Sequence, residues 1–101
     1  MRFGDIPQIE REKRRFVVLR HLADTPGYEL NTELLSMGCQ AQGVPTTEDQ
    51  IRTAVSWLEE QDLVRTDTVG SVLLVTLTKA GREVADGRRI VPGVMRPGPI
   101  D

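Results

Sequence analysis

Thr47, Gln50, Arg52, Thr53 and Ser56 lie within ten residues of one another, and their types suit hydrogen bonding to base-pair edges. An arginine can donate two bonds to guanine, a glutamine can pair a donor and an acceptor with adenine, and a hydroxyl can reach a base or a phosphate. Glu48, Asp49, Glu59 and Glu60 stand among them, and carboxylates are repelled by a phosphate backbone. The same stretch therefore also fits an ordinary solvated helix face. Arg65, Arg88 and Arg89 are expected as backbone contacts from a wing and a tail, with Arg82 and Arg96 beside them. A second basic series, Arg11, Lys13, Arg14, Arg15 and Arg20, alternates with Glu10 and Glu12, which equally suits a solvent-facing helix.

Other chemistry is thinly supplied. Cys39 is the only cysteine and His21 the only histidine, so a thiolate zinc cluster, an intrachain disulfide and a histidine ligand set are excluded by count. Cys39 reads as a small buried residue and His21 as structural or exposed. Ser56 and Ser71 have no recognisable base and orienting acid, and there is no phosphate-binding glycine loop or paired-carboxylate arrangement. The expectation is a non-enzyme without cofactor or metal.

To present the polar residues from 47 to 56 on one side, the chain needs a helix with a clean apolar arc on the other. Ile51, Ala54, Val55 and Leu58 supply that arc, with Thr46 or Thr47 as the cap. Trp57 lies just beside it, placed either under a hairpin or at a dimer or partner surface, where aromatic anchors are enriched. Upstream, Ile9 to Ala23 carries Phe16, Leu19, Leu22 and Ala23 at helical spacing and ends at Asp24, Thr25, Pro26, Gly27. Asn31 caps a short second helix through Leu34 and Leu35, with Gly43, Val44, Pro45 as its exit. Downstream, Leu63 and Val64 begin a strand, residues 66–71 read as a turn, and Val72 to Leu77 returns as the second strand of a hairpin. Thr78 caps a last short helix through Ala80, Val84 and Ala85, closed by Gly87.

The order is helix, helix, helix, strand, strand, helix. That is the plan of an α+β winged helix-turn-helix: three helices, a two-stranded β-hairpin wing and a short C-terminal helix. A small α+β domain used for protein contacts would show the same order. The expected divisions are an N-terminal arm over 1–8, the domain over 9–87 and a basic, proline-containing tail over 88–101.

Composition constrains the partners. With 101 residues, 39% hydrophobic and 28% charged, the chain suffices for one core and is neither disordered nor a bare coiled coil. A net charge of −2 excludes a domain that coats nucleic acid by charge alone, but the charge is segregated. Residues 1–20 hold six basic and three acidic side chains, whereas residues 31–63 hold Arg52 against six carboxylates. No apolar stretch approaches a membrane span and no signal core precedes the domain, so the expectation is a soluble, cytoplasmic protein.

The block from Trp57 to Val64, followed by Val72 to Leu77 and Thr78, Lys79, Ala80, Gly81, resembles the second half of bacterial regulators of the arsenic-repressor and multiple-antibiotic-resistance type. More closely, nearly the whole chain resembles a family of small winged-helix proteins of Mu-like phages and prophages. The segments carrying this are Tyr28 to Asn31, Asp49 to Arg52, Trp57 to Val64, and the tail with Gly87, Arg88, Val91 to Val94, Arg96 and Pro97. The resemblance implies a phage or prophage transcriptional regulator that binds double-stranded DNA. A homodimer would read two half-sites about 34 Å apart. The alternative is a winged-helix interaction module that sets its acidic third helix against a phage or host protein.

Overall fold

The longest apolar stripe makes the central helix. In the computed structural model, which describes residues 3–98, α1 (Ile6–Asp24) buries Val17, Val18, Leu19 and Leu22 and half-buries Phe16 and Ala23. It starts inside the expected N-terminal arm, with Pro7 in the first turn, where its missing amide hydrogen costs nothing. A single 3-10 turn, Phe3–Asp5, leads into it. Met1 and Arg2 of the arm and Pro99, Ile100 and Asp101 of the tail lie outside the described residues.

The chain continues through β1 (Glu29–Asn31), α2 (Thr32–Ala41), α3 (Glu48–Glu60), β2 (Val64–Val69), β3 (Val72–Leu77) and α4 (Lys79–Ala85). The architecture is α+β: four helices with a three-stranded antiparallel sheet in the order β1-β3-β2. The two-stranded hairpin expected from sequence is thus corrected to three strands. The third is a three-residue edge strand, paired Glu29 to Thr76, Leu30 to Val75 and Asn31 to Leu74, too short to leave an alternation pattern. Residues 66–69 belong to β2 rather than to the turn. The loop is only Gly70 and Ser71, between the paired Val69 and Val72. Gly70 at φ +62 supplies the positive angle that a two-residue hairpin demands at its first position.

Local chemistry sets the helix ends. Asn31, Thr47 and Thr78 each cap a helix, their side-chain oxygens accepting from the backbone nitrogens of Leu34, Gln50 and Gly81 at 2.8, 3.1 and 3.0 Å. Three helices stop in the same way. Val44 N–H donates to Cys39 O, Leu63 N–H to Leu58 O and Arg88 N–H to Glu83 O, six residues back to one, with the shorter bond nested inside. That Schellman closure requires a left-handed residue, supplied by Gly43, Asp62 and Gly87. At α3 it also pins buried Leu63 against buried Leu58 and so aims the chain directly into β2.

α1 packs against α2, α3, α4 and β3, and the core runs through Leu19, Leu22, Leu35, Ile51, Leu58, Leu63 and Val75. The segment after α4 does not leave the body at once. Val94 is buried, the Met95 N–H donates to Glu12 O at 3.2 Å, and Arg15 Nη1 donates to Gly93 O at 2.9 Å. The first part of the expected tail is therefore a strap across α1. No described helix is long and apolar enough to cross a membrane.

Candidate nucleic-acid interface

α3 is amphipathic in the register read from the sequence: Ile51, Ala54, Val55 and Leu58 are buried, while Asp49, Arg52, Thr53, Ser56 and Glu60 are exposed. The exposed residues, with Trp57, line one shallow open depression along the helix. Thr47 and Gln50 stand at its N-terminal end and form a reciprocal capping box. Gln50 N–H donates to Thr47 Oγ1, and Thr47 N–H donates to Gln50 Oε1 at 2.9 Å. This restricts Gln50. Bidentate pairing with adenine needs the side-chain oxygen as well as the nitrogen, and that oxygen is already holding the cap.

Arg52 is restrained too. Its Nε donates to Glu48 Oε1 at 2.7 Å, one turn back, leaving the two terminal nitrogens of the guanidinium to a ligand. Glu48 is also reached by the buried Thr32 hydroxyl, at 3.4 Å, across the α2–α3 contact. Glu59 is spent differently. It accepts from the Thr66 backbone nitrogen at 2.9 Å and from the Thr66 hydroxyl, tying the last turn of α3 to the start of the hairpin. Thr53 and Ser56 stay exposed on the face, with Asp49 and Glu60 at its two ends.

The remaining candidates divide. Arg65 is exposed on β2, paired with Thr76, and strand alternation turns it to the sheet face opposite that of the neighbouring Thr66 that Glu59 anchors. Arg88 and Arg89 do not join it. Arg88 Nη2 meets Asp86 at 3.2 Å and Arg89 Nη2 meets Glu83 at 2.9 Å, at the C-terminal end of α4, where Arg20 of α1 also grips Asp86 at 3.1 Å. Those bonds hold the Asp86 carboxyl below its usual range, the Arg20 hydrogen bond first among them. Trp57 is covered from within: the Arg15 guanidinium lies 4.0 Å from its ring centroid, and Gly93 of the strap is pressed against the far edge of the indole.

A cationic feature whose spacing fits both contacts to a nucleic-acid backbone and a solvated helix face lies next to α3. Arg11, Arg14 and Arg15 of α1 line a cavity of about 260 Å³ whose other wall is Asp49, Gln50 and Thr53. The i, i+3, i+4 spacing of these arginines put them on one side of α1, but nothing in the spacing said that this side faces α3. Burial lowers the Arg15 pKa from its ordinary value, and Arg11 beside it lowers it further. Cys39 is fully buried in the α2 stripe, and burial pushes its thiol pKa up. The His21 ring lies over Gly38 of α2. Among the described residues no three His, Cys, Asp or Glu side chains cluster as a metal site would require.

The uncharacterized protein gp26 of Escherichia phage Mu is 40% identical to this chain over 94 residues, 93% of this chain and 97% of that protein. The chain belongs to the gp26 family of Mu-like phages. An uncharacterized protein of Haemophilus influenzae is 33% identical over 87 residues, covering 80% of this chain and 84% of its own length. No protein-family model matches, and no solved structure does. The gp26 alignment leaves out only seven of the 101 residues, so wherever it begins it takes in α2, α3, the sheet and α4. Family membership thus extends over the whole candidate interface, whereas neither relative's name attaches an activity to it.

Proposed function

We propose that this protein is a winged-helix DNA-binding regulator of a Mu-like phage or prophage. In this reading α2 and α3 are the helix-turn-helix, β2 and β3 the wing, and α3 the element that enters the major groove. The observation that carries the reading is the exposed face of α3. Arg52, Thr53 and Ser56 point away from the core on a helix fixed at both ends, capped by Thr47 and closed by Asp62, with the hairpin tied beside it through Glu59 and Thr66. Arg52 reads guanine with its terminal nitrogens, Thr53 and Ser56 bond to a base or phosphate, and Arg65 follows the backbone from the wing. Thr47 and Gln50 hold the reading helix in shape, and Gln50 keeps its nitrogen as a single donor.

A second reading rests on charge. Glu48, Asp49 and Glu60 outnumber Arg52 on this face, and Arg88 and Arg89 are neutralised by their own carboxylates, so α3 also suits a basic surface on a phage or host protein. One experiment separates the two. Duplexes are selected from a random library, and enriched and scrambled sequences are titrated at several salt concentrations before and after Arg52→Ala. DNA reading requires an enriched sequence and a loss of about 1–3 kcal/mol on that sequence alone when Arg52 is removed. Failure to enrich any sequence, with no duplex bound tighter than millimolar at low salt, refutes it.

A further inference from the structure

Arg20, Arg52, Arg82, Arg88 and Arg89 are each held by a carboxylate. Arg11, Arg14 and Arg15 take part in no ion pair among the described residues, and all three line the cavity between α1 and α3. Arg14 is the deepest of them, only 4% exposed. Its Nε donates to Thr46 Oγ1 at 2.9 Å and its Nη2 to Pro45 O at 3.1 Å. Both acceptors are neutral, so they satisfy hydrogen bonds without balancing the charge. Nη1 has no acceptor, and every fully sealed side-chain nitrogen or oxygen among the described residues has one. Nη1 is therefore not fully sealed, and Arg14 lines the cavity. Glu10 and Asp49 also line it, but neither lies within 4.0 Å of an arginine nitrogen, and the wall as a whole carries three cations against two carboxylates.

We propose that this cavity binds a small oxyanion, a phosphate or carboxylate group on a molecule of a few atoms, with Arg14 Nη1 and Arg11 as its cationic donors and Gln50 Nε2 and the Thr53 hydroxyl as its neutral ones. The volume, about 260 Å³, is below the range of drug-sized pockets and admits only a small ligand. A guanidinium this far withdrawn is poorly placed for the backbone of a duplex, which meets the protein at its surface, whereas a free anion can enter. Occupancy would supply the charge that the buried guanidinium lacks, and charge-assisted bonds are the strongest such a site can make. The proposal goes beyond DNA reading and its cationic donors are separate from it, since Arg52 and Ser56 lie outside the cavity, while Thr53 and Asp49 line both surfaces.

Trp57, the only tryptophan, reports on the site, since Arg15 both lines the cavity and stacks on its ring. The full chain is titrated with inorganic phosphate, and separately with succinate, at constant ionic strength set with sodium chloride. Trp57 emission and backbone amide shifts are followed together. The expected result is saturable binding in the millimolar range with shifts centred on residues 11–15 and 49–54, and the tighter of the two probes identifies the headgroup. Arg11→Gln, at an exposed position, should weaken binding about tenfold, the loss of one charge-assisted bond. Arg14→Lys should abolish saturation by removing Nη1 while keeping the charge. Because Arg14 also ties α1 to residues 45 and 46, circular dichroism must show that variant folded, and Arg11→Gln carries the test if it is not. Arg89→Gln, on the α4 side, should bind as the native protein does. Absence of saturation with both probes overturns the proposal, as does unchanged binding by Arg11→Gln. A random duplex that shifts the same amides while neither small anion does so would assign the cavity to the DNA backbone and overturn it equally.

Discussion

Gly93→Ala is the sharpest perturbation the strap allows. Gly93 sits at φ +99, where a side chain is disfavoured by about 1–2 kcal/mol. A Cβ there would lie 2.6 Å from Trp57 Cζ2 and 2.8 Å from Cη2, well inside ordinary van der Waals contact. The indole cannot simply give way, because Arg15 is stacked on it and bonded to the Gly93 carbonyl. Overpacking of this kind adds about 1–3 kcal/mol, for a sum of about 2–5 kcal/mol. A ceiling exists, since the strap can detach. Detachment forfeits the burial of Val94 and the Arg15 bond to Gly93, about 1.5–3 kcal/mol each and so about 3–6 kcal/mol together, which is comparable to the strain; the substitution should therefore loosen the strap, with attached and detached forms both populated, and leave the body folded. Gly98→Ala is the control, since a Cβ there meets nothing within 4 Å. Trp57 emission should move to the red and become more accessible to iodide in Gly93→Ala, and limited proteolysis should cut after Arg88 or Arg89 while the remainder resists. Stability and emission matching Gly98→Ala would show that the strap does not rest on Trp57.

Other expectations follow from the same geometry. Asp62→Gly should leave stability unchanged or raise it by up to about 1 kcal/mol, and Asp62→Val should lower it, because the Schellman closure of α3 holds this residue at φ +60; urea denaturation reads both. Leu58→Ala should cost about 2–5 kcal/mol, whereas Ser56→Ala should stay within about 0.5 kcal/mol, and equal losses would refute the phase of α3. Asp86 has its carboxyl pKa lowered by Arg20 first, so its contribution is present above the ordinary carboxylate value and lost as pH falls through the lowered one; Asp86→Asn should flatten the acid limb of stability against pH. Cys39 has its thiol pKa raised by burial, so the native protein should resist alkylation at mildly alkaline pH and react fully in denaturant.

What was legible in the sequence was what local spacing encodes. The buried arc of α3, the caps at Asn31, Thr47 and Thr78, and the glycine at the end of α4 each depend on residues within one or two turns, and each stands where the spacing put it. β1 and Asp62 escaped for a related reason. A three-residue edge strand has no period, and an aspartate in a position usually held by glycine gives no turn signal. The candidate site failed differently, because charge partners are set by tertiary packing. Arg88 and Arg89 follow Asp86 and Glu83 within six residues, and the turn that ends α4 closes both pairs, whereas spacing alone left these arginines free for a partner. The arginines of α1 have Glu10 and Glu12 beside them in sequence, yet Arg14 is turned inward toward neutral oxygens, and Arg15 lies on an indole contributed from another helix. Net charge along the chain therefore pointed to the tail as the cationic arm, whereas among the described residues Arg88 and Arg89 are paired and three arginines without an ion pair meet where α1 faces the first turns of α3. A small oxyanion should be sought first at that junction.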